Sequence, residues 1–274
     1  MRDEAREPAA HGNAPLNASV TEKMGGAAAI LSWGVTHPGA VRCVNQDSFL
    51  ARADLGLWMV ADGAGGHEGG AMASQAIASE LGGLAADLSD GGVVREAALA
   101  LQRTHEALRQ AALSQRANAT IATTVVVLVL RDGRATCLWV GDSRAYRFRK
   151  GQLTLLTRDH SLVQELMSAG RITADEAENH PQRNVITRAV GANCDHLAVE
   201  CRIDEVEPGD LYLLCSDGLS GTLPEAEIAA TLERPPSLAA NALVAAALGK
   251  HARDNVTALV VSLPGSPSLA AGLA

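Results

Sequence analysis

The sequence predicts an α+β chain built in layers, with stacked β-sheets covered by helices. Three observations carry this. Short apolar runs of strand length occur in both halves of the chain. Two long blocks of helical periodicity stand together instead of alternating one-to-one with strands, which argues against a doubly wound parallel sheet. The turn signals Asp132-Gly133 and Lys150-Gly151 lie between neighbouring runs and call for hairpins.

In chain order, residues 1–24 are polar and charged, contain Pro8 and Pro15, and read as a flexible N-terminal tail. One continuous domain follows at 25–263. Its first strand-like runs are 30–35, 47–51 and 57–61. Segment 71–88 sets Ile77, Leu81, Leu84 and Leu88 at helical spacings, and 93–116 does so with Val94, Ala97, Leu101, His105, Leu108 and Leu113. Strands return at 123–130, 135–140, 145–149 and 153–156. A polar helical stretch at 162–179 breaks at Gly170 and restarts at Thr173, where T-A-D-E offers a capping pattern. Strand-like segments resume at 197–203 and 210–215. A final helix at 238–250 follows Pro235 and Pro236, a last strand at 256–263 closes the domain, and 264–274 reads as a second flexible tail.

Composition bounds the function. Of the 274 residues 47% are hydrophobic and 20% charged, enough to bury a sizeable core without disulfides or a structural metal. The 31 acidic residues exceed the 23 basic ones for a net charge of −8, so nothing draws the whole chain to nucleic-acid phosphate. Aromatic residues, at 3%, leave few rings for stacking on bases. The five cysteines, Cys43, Cys137, Cys194, Cys201 and Cys215, are odd in number and lack C-x-x-C spacing. Reduced intracellular thiols follow, with Cys137 and Cys215 as small buried hydrophobes. The N-terminal segment lacks the apolar stretch of a signal peptide. The longest strongly apolar run, 125–130, is far short of the ~20 residues that span a bilayer. The expectation is a cytoplasmic protein with no membrane or nucleic-acid partner.

One pattern recurs where chemistry is expected. An apolar strand runs into an aspartate: Leu57-Trp-Met-Val-Ala-Asp62-Gly63, Leu138-Trp-Val-Gly-Asp142 and Leu211-Tyr-Leu-Leu-Cys-Ser-Asp217-Gly218. Asp254-Asn255 is the inverse, an acid that opens the strand at 256–263. Taken singly, each reads as a turn, because Asp and Gly favour turns. Taken together, they carry carboxylates from remote segments to one rim, where they repel unless a cation lies between them. No Lys or Arg brackets the Asp62, Asp217 or Asp254 motifs on both sides. Oxygen donors without a His/Cys set select magnesium or manganese over zinc. Gly63 and Gly218 let backbone approach such an ion. Arg42, five residues ahead of Asp47, has the fork to hold two phosphate oxygens; its bland reading is a surface loop arginine. His67, in Gly65-Gly66-His67, could protonate a leaving oxygen or simply cap a helix start. The glycine-rich stretch 63–70 lacks the lysine of a nucleotide-binding loop.

These residues carry a resemblance. The motifs R-C-V-N-Q-D at 42–47, V-A-D-G-A-G-G-H at 60–67, A-T-T at 122–124, V-G-D-S-R-A-Y-R at 140–147, L-T-R-D-H-S at 156–161, N-V-I-T-R-A-V-G at 184–191, C-S-D-G-L at 215–219 and D-N-V-T at 254–257 occur in family order. The chain resembles a metal-dependent protein phosphatase of the PPM (type 2C) family in its bacterial form. The resemblance implies a four-layer α-β-β-α sandwich with two central antiparallel sheets. It implies hydrolysis of phosphoserine and phosphothreonine in proteins by a water bridging two divalent cations, Mn2+ or Mg2+. By motif, Asp62 would bridge both ions and the Gly63 carbonyl would ligate one. Asp217 and Asp254 would complete the other, and Asp47 would act directly or through water. Asp142 with Asp217 would hold a weaker third ion. Arg42 would grip the substrate phosphate, and segment 162–183 matches the family's variable flap.

The sequence departs from the family at three places. Gln46 stands where animal members have a metal-binding glutamate, Ala64 replaces a common methionine, and Ala122 replaces a common glycine. Glutamine is frequent there in bacterial members and implies water-mediated ligation; the two alanines remove no charged group. The expected partner is a phosphorylated protein, a Ser/Thr kinase or its targets, met by a monomer. Two other readings stand beside this one: a non-catalytic pseudophosphatase that docks phosphoproteins, and a metal phosphoesterase acting on small molecules.

Overall fold

The structure, a computed structural model, describes residues 17–25, 27–65, 69–114 and 120–265. Two antiparallel sheets pack face to face between helical layers. The first sheet runs β1 (Asn17–Gly25), β2 (Ala27–His37), β12 (Val256–Ser262), β11 (Leu211–Cys215), β8 (Arg144–Arg149) and β9 (Gln152–Leu155). The second runs β10 (Glu200–Glu205), β7 (Arg134–Val140), β6 (Val125–Arg131), β4 (Leu57–Ala64) and β3 (Asp47–Arg52), with the short β5 (Ala122–Thr123) beside β4. Helices α1 (Gly69–Gly82) and α2 (Asp90–Ser114) cover the second sheet; α5 (Asp217–Ser220), α6 (Glu225–Leu232) and α7 (Pro236–Gly249) cover the first.

Strand β4 shows why its sequence is a continuous apolar run. Leu57, Met59 and Ala61 face the α1/α2 layer, while Trp58 and Val60 fill the gap between the sheets. With both faces covered, no position on the strand is free to be polar. Strands β11 and β12 divide the same way. Leu213, Cys215, Val256 and Ala258 pack toward α5–α7, and Tyr212, Leu214, Leu259 and Val261 pack toward the second sheet. Each such buried aliphatic side chain contributes about 1.5–3 kcal/mol. These elements are rigid supports for whatever their ends carry.

The turns follow local chemistry. Asp132 and Gly133, at φ 50° and 71°, close the β6–β7 hairpin, and Lys150 and Gly151, at φ 51° and 80°, close β8–β9. Between β9 and β10 the chain forms two short helices, α3 (Leu162–Ser168) and α4 (Ala174–Glu178). The capping box at Thr173 is formed, with the Thr173 hydroxyl accepting from Glu176 N–H and the Glu176 carboxylate accepting from Thr173 N–H.

Four expectations need correction. Residues 17–24 belong to β1 rather than to the expected tail, because β2 supplies the antiparallel partner from Thr36 down to Ala27. Residues 1–16 and 266–274 lie outside the described residues. Helix α1 stops at Gly82 instead of running to 88, since two consecutive glycines end the favourable helical run. The strand expected at 197–203 lies at Glu200–Glu205. Helices α5 and α6 follow Ser216 and Pro224 where the sequence reading had a turn and nothing further; Asp217 opens a helix.

Candidate functional site

All five candidate acids lie at strand ends. Asp47 begins β3 and Asp62 lies near the end of β4, and the two are directly paired across the ladder. Asp142 follows β7, Asp217 follows β11, and Asp254 precedes β12. Both sheets therefore deliver carboxylates to a common rim. Asp62, on β4 of one sheet, and Asp217, just past β11 of the other, are near enough to perturb each other's ionisation.

Asp47 is buried and held on one oxygen. The Ser216 hydroxyl donates to its Oδ2 at 2.7 Å, and the Thr257 hydroxyl donates to the same atom at 2.6 Å. Its Oδ1 is buried with no partner. Asp62 is fixed through its backbone. Thr124 N–H and the Thr123 hydroxyl donate to its carbonyl at 2.8 and 2.9 Å, so the Thr-Thr pair of β5 and its neighbour locks the end of β4. Gly63 abuts Gly70: a Cβ at Gly63 would stand 2.2 Å from the Gly70 carbonyl oxygen, a distance no side chain tolerates.

Asp142 follows Gly141, whose φ of 108° is a left-handed conformation. His160 clamps that turn. Gly141 N–H donates to His160 Nδ1 at 3.0 Å, and His160 N–H donates to the Gly141 carbonyl at 2.9 Å. Since Nδ1 accepts, the ring proton is on Nε2, facing Glu200 Oε1 at 3.1 Å. Burial holds the His160 pKa below its usual value, in keeping with a neutral ring.

Arg42 lies on the exposed loop before β3 and donates to Asp254 Oδ2 at 2.9 Å. A basic group that the local sequence around Asp254 does not pair with it is thus brought from 212 positions away. Asn255 pins the same loop. Its amide donates to the carbonyls of Pro38 and Val44, both at 3.0 Å, and its oxygen accepts from Gln46 N–H at 2.8 Å. Every polar atom of that buried amide side chain is engaged. The candidate acid His67 lies outside the described residues.

The electrostatics are those of an acidic rim under strain. Burial first, and neighbouring carboxylates after it, push Asp142 up to about 8, with Asp217 and Asp159 as its acidic neighbours. Burial likewise pushes Asp47 up to about 7, although the Thr257 and Ser216 donors pull it down. Asp62 is raised well above the usual range by burial and then by Asp47, Asp217 and Asp142. Asp217 is raised by burial and by Asp254. Asp62, Asp142 and Asp217 keep some surface in contact with solvent. Among the described residues no three His, Cys, Asp or Glu side chains are gathered tightly enough to hold an ion as they stand. The fit rests on donor chemistry: an orphaned buried oxygen on Asp47, mutually repelling carboxylates, and no His or Cys among them. That set suits a hard divalent cation.

The sequence reading missed Thr36, Asn45, His160, Ser216, Asn255 and Thr257. Four of these sit beside a named acid or within its motif, so a polar residue flanking an acid at the end of an apolar strand was the available signal. Which acid each one serves is a tertiary fact: Thr257 neighbours Asp254 in sequence and bonds Asp47 in space.

A family model described as protein phosphatase 2C matches residues 40–251. The serine/threonine protein phosphatase PstP of Mycobacterium tuberculosis is 35% identical over 226 residues, which cover 82% of this chain and 43% of that protein. The chain thus spans less than half the length of that relative. Among solved structures, PppA, a key regulatory component of T6SS in Pseudomonas aeruginosa, is similar with a TM-score of 0.78 at 39% identity, over 85% of this chain and 98% of that one. The catalytic domain of the serine/threonine protein phosphatase PstP in complex with 2 manganese ions is similar with a TM-score of 0.77 at 32% identity, over 86% and 98% of the two chains.

Proposed function

The chain belongs to the protein phosphatase 2C family, and on that premise we propose that it removes phosphate from phosphoserine and phosphothreonine in proteins, using divalent cations held on its acidic rim. The observation that carries the reading is the convergence of Asp47, Asp62, Asp142 and Asp217 from both sheets into one mutually repelling group.

Asp62, the Gly63 carbonyl, Asp217 and Asp254 would hold two manganese or magnesium ions, with Asp47 acting directly or through water. Asp142, with Asp217, would hold a third. When bound, such ions lower the pKa of water and offset charge on phosphoryl oxygens. The residues of the chain do the rest. The threonines behind Asp62 and the glycine contact at Gly63 fix the backbone that carries these two ligands before substrate arrives. Arg42 lies on a loop anchored by Asn255 and places its guanidinium beside Asp254, where a phosphate could accept from its free N–H groups. His67 is the chain's candidate donor for the proton that the departing seryl or threonyl oxygen takes up.

Segment 162–183, partly buried in α3 and exposed over most of α4, would contact the substrate protein. The natural counterpart is a Ser/Thr kinase or its targets, and the setting a cytoplasmic one in which the chain acts as a monomer. No helix among the described residues is long and apolar enough to cross a membrane. The test is phosphate release from a phosphothreonine peptide by the purified chain. EDTA should silence it and manganese restore it; turnover that persists in full chelator refutes the proposal.

A further inference from the structure

Asp47 is bound in a way that leaves its two oxygens unequal. Oδ2 accepts from both Ser216 and Thr257, and Oδ1, equally buried, has no partner. The hydroxyl of Ser216 in turn accepts Thr257 N–H at 3.0 Å, which leaves its single proton for Asp47. Thr257 Oγ1 lies 2.7 Å from Thr36 Oγ1, and Thr36 accepts from the Asn45 amide at 2.8 Å. Asn45 closes the circuit by accepting Asp47 N–H on its Oδ1 at 3.1 Å.

The donors in this chain point one way. The proton of Thr257 goes to Asp47, so Thr36 must donate to Thr257, and Asn45 donates to Thr36. With two hydroxyl protons directed at it, Oδ2 has no room for a proton of its own. Any charge, proton or ligand that Asp47 exchanges with the rim is exchanged through Oδ1. Asp47 belongs to the second sheet, while Thr257 lies on β12 and Ser216 directly follows β11, both strands of the first. The hydroxyl pair therefore ties the carboxylate across the sandwich, beside Asp62, Asp217 and Asp254.

We propose that Ser216 and Thr257 are positioning residues: their hydroxyls saturate one oxygen of Asp47 and so present the other, oriented and unshared, to the divalent cations or their water. The inference rests on the functional reading above and deepens it. Hydrogen bonds to a liganding carboxylate set its orientation, and their loss commonly costs about 10- to 100-fold in metal affinity. Thr257 is fully buried, so valine keeps its shape and removes only the hydroxyl, while serine keeps the hydroxyl and removes a methyl.

The experiment is calorimetric titration of manganese into metal-stripped protein, with thermal unfolding measured on the same samples. Thr257→Val should bind manganese about 10- to 100-fold more weakly while still melting cooperatively. Thr257→Ser should bind close to wild type. Equal affinity of wild type and Thr257→Val overturns the proposal, and so does a Thr257→Ser variant as weak as Thr257→Val, since that would trace the loss to packing. Should Thr257→Val not fold, Ser216→Ala, with Ser216→Thr as the hydroxyl-keeping control, reads the same quantity with the same two outcomes. A wild-type chain that neither binds manganese nor releases phosphate would fail at the functional reading itself, a result distinct from sound wild-type binding that the hydroxyls do not affect.

Discussion

Asp47 and Asp62 stand directly opposite each other on neighbouring antiparallel strands, paired in the same register that matches Phe49 with Val60 and Ala51 with Trp58. Like charges at facing positions destabilise a sheet. Here the repulsion is enlarged by burial and by Asp217 and Asp142 beside the pair. A sequence shaped for stability alone would not put two aspartates there. The register that builds the core between the sheets is the register that forces the two acids together.

Removing one charge should therefore trade function for stability. Asp62→Asn is expected to reduce phosphate release from a phosphothreonine peptide to background. In chelator, the same variant should melt at a higher temperature than wild type at neutral pH, because it removes a carboxyl that, ionised in the unfolded chain, must take up a proton or bear a crowded charge on folding. Activity assays and melting curves on one preparation check both halves. A variant that loses activity and also melts lower would mean that the carboxylate holds the fold together.

A pH dependence follows from Asp142. Its pKa stands at about 8 in the folded protein against an ordinary 3.8, with burial as the main cause. The folded form thus keeps a proton that the unfolded chain releases. The stabilising contribution is complete below the ordinary value and is lost as pH rises through about 8. Asp142→Asn carries no such proton. In chelator, its stability relative to wild type should climb across that window, as read by denaturant melts at several pH values. A difference that stays flat with pH would contradict the assignment.

The contact of Gly63 with Gly70 is a steric prediction. Gly63→Ala places a methyl 2.2 Å from a carbonyl oxygen and 2.7 Å from the Gln46 carbonyl oxygen, both backbone atoms that cannot step aside cheaply. The expected cost is about 1–3 kcal/mol of stability, together with weaker manganese binding, because the displaced segment carries Asp62. Chemical denaturation and calorimetry would measure the two effects. Full stability and affinity in this variant would show that the turn is looser than its packing implies.

The apolar runs were legible because a strand covered on both faces must be apolar throughout. Leu57–Ala61 and Val256–Leu263 announced themselves in this way, and the acids that end or open them stood out by contrast. The capping pattern at Thr173 was legible because both partners lie within one turn. Strand β1 was not, since its pairing with β2 depends on a neighbour rather than on its own composition. Helix α5 was hidden because Asp-Gly is ordinary turn chemistry, and only the docking of Leu219 in the core makes it a helix start.

The order of motifs along the chain was enough to determine the family and the layered fold and to nominate the acids, since those properties are written in residue types and spacings. The partner of each acid was decided only in three dimensions. Asp47 takes its donors from positions 169 and 210 residues away, and Asp254 meets its arginine across 212. Hydrogen bonds act over about 3 Å. Only sheet packing can bring groups so distant in sequence to that range.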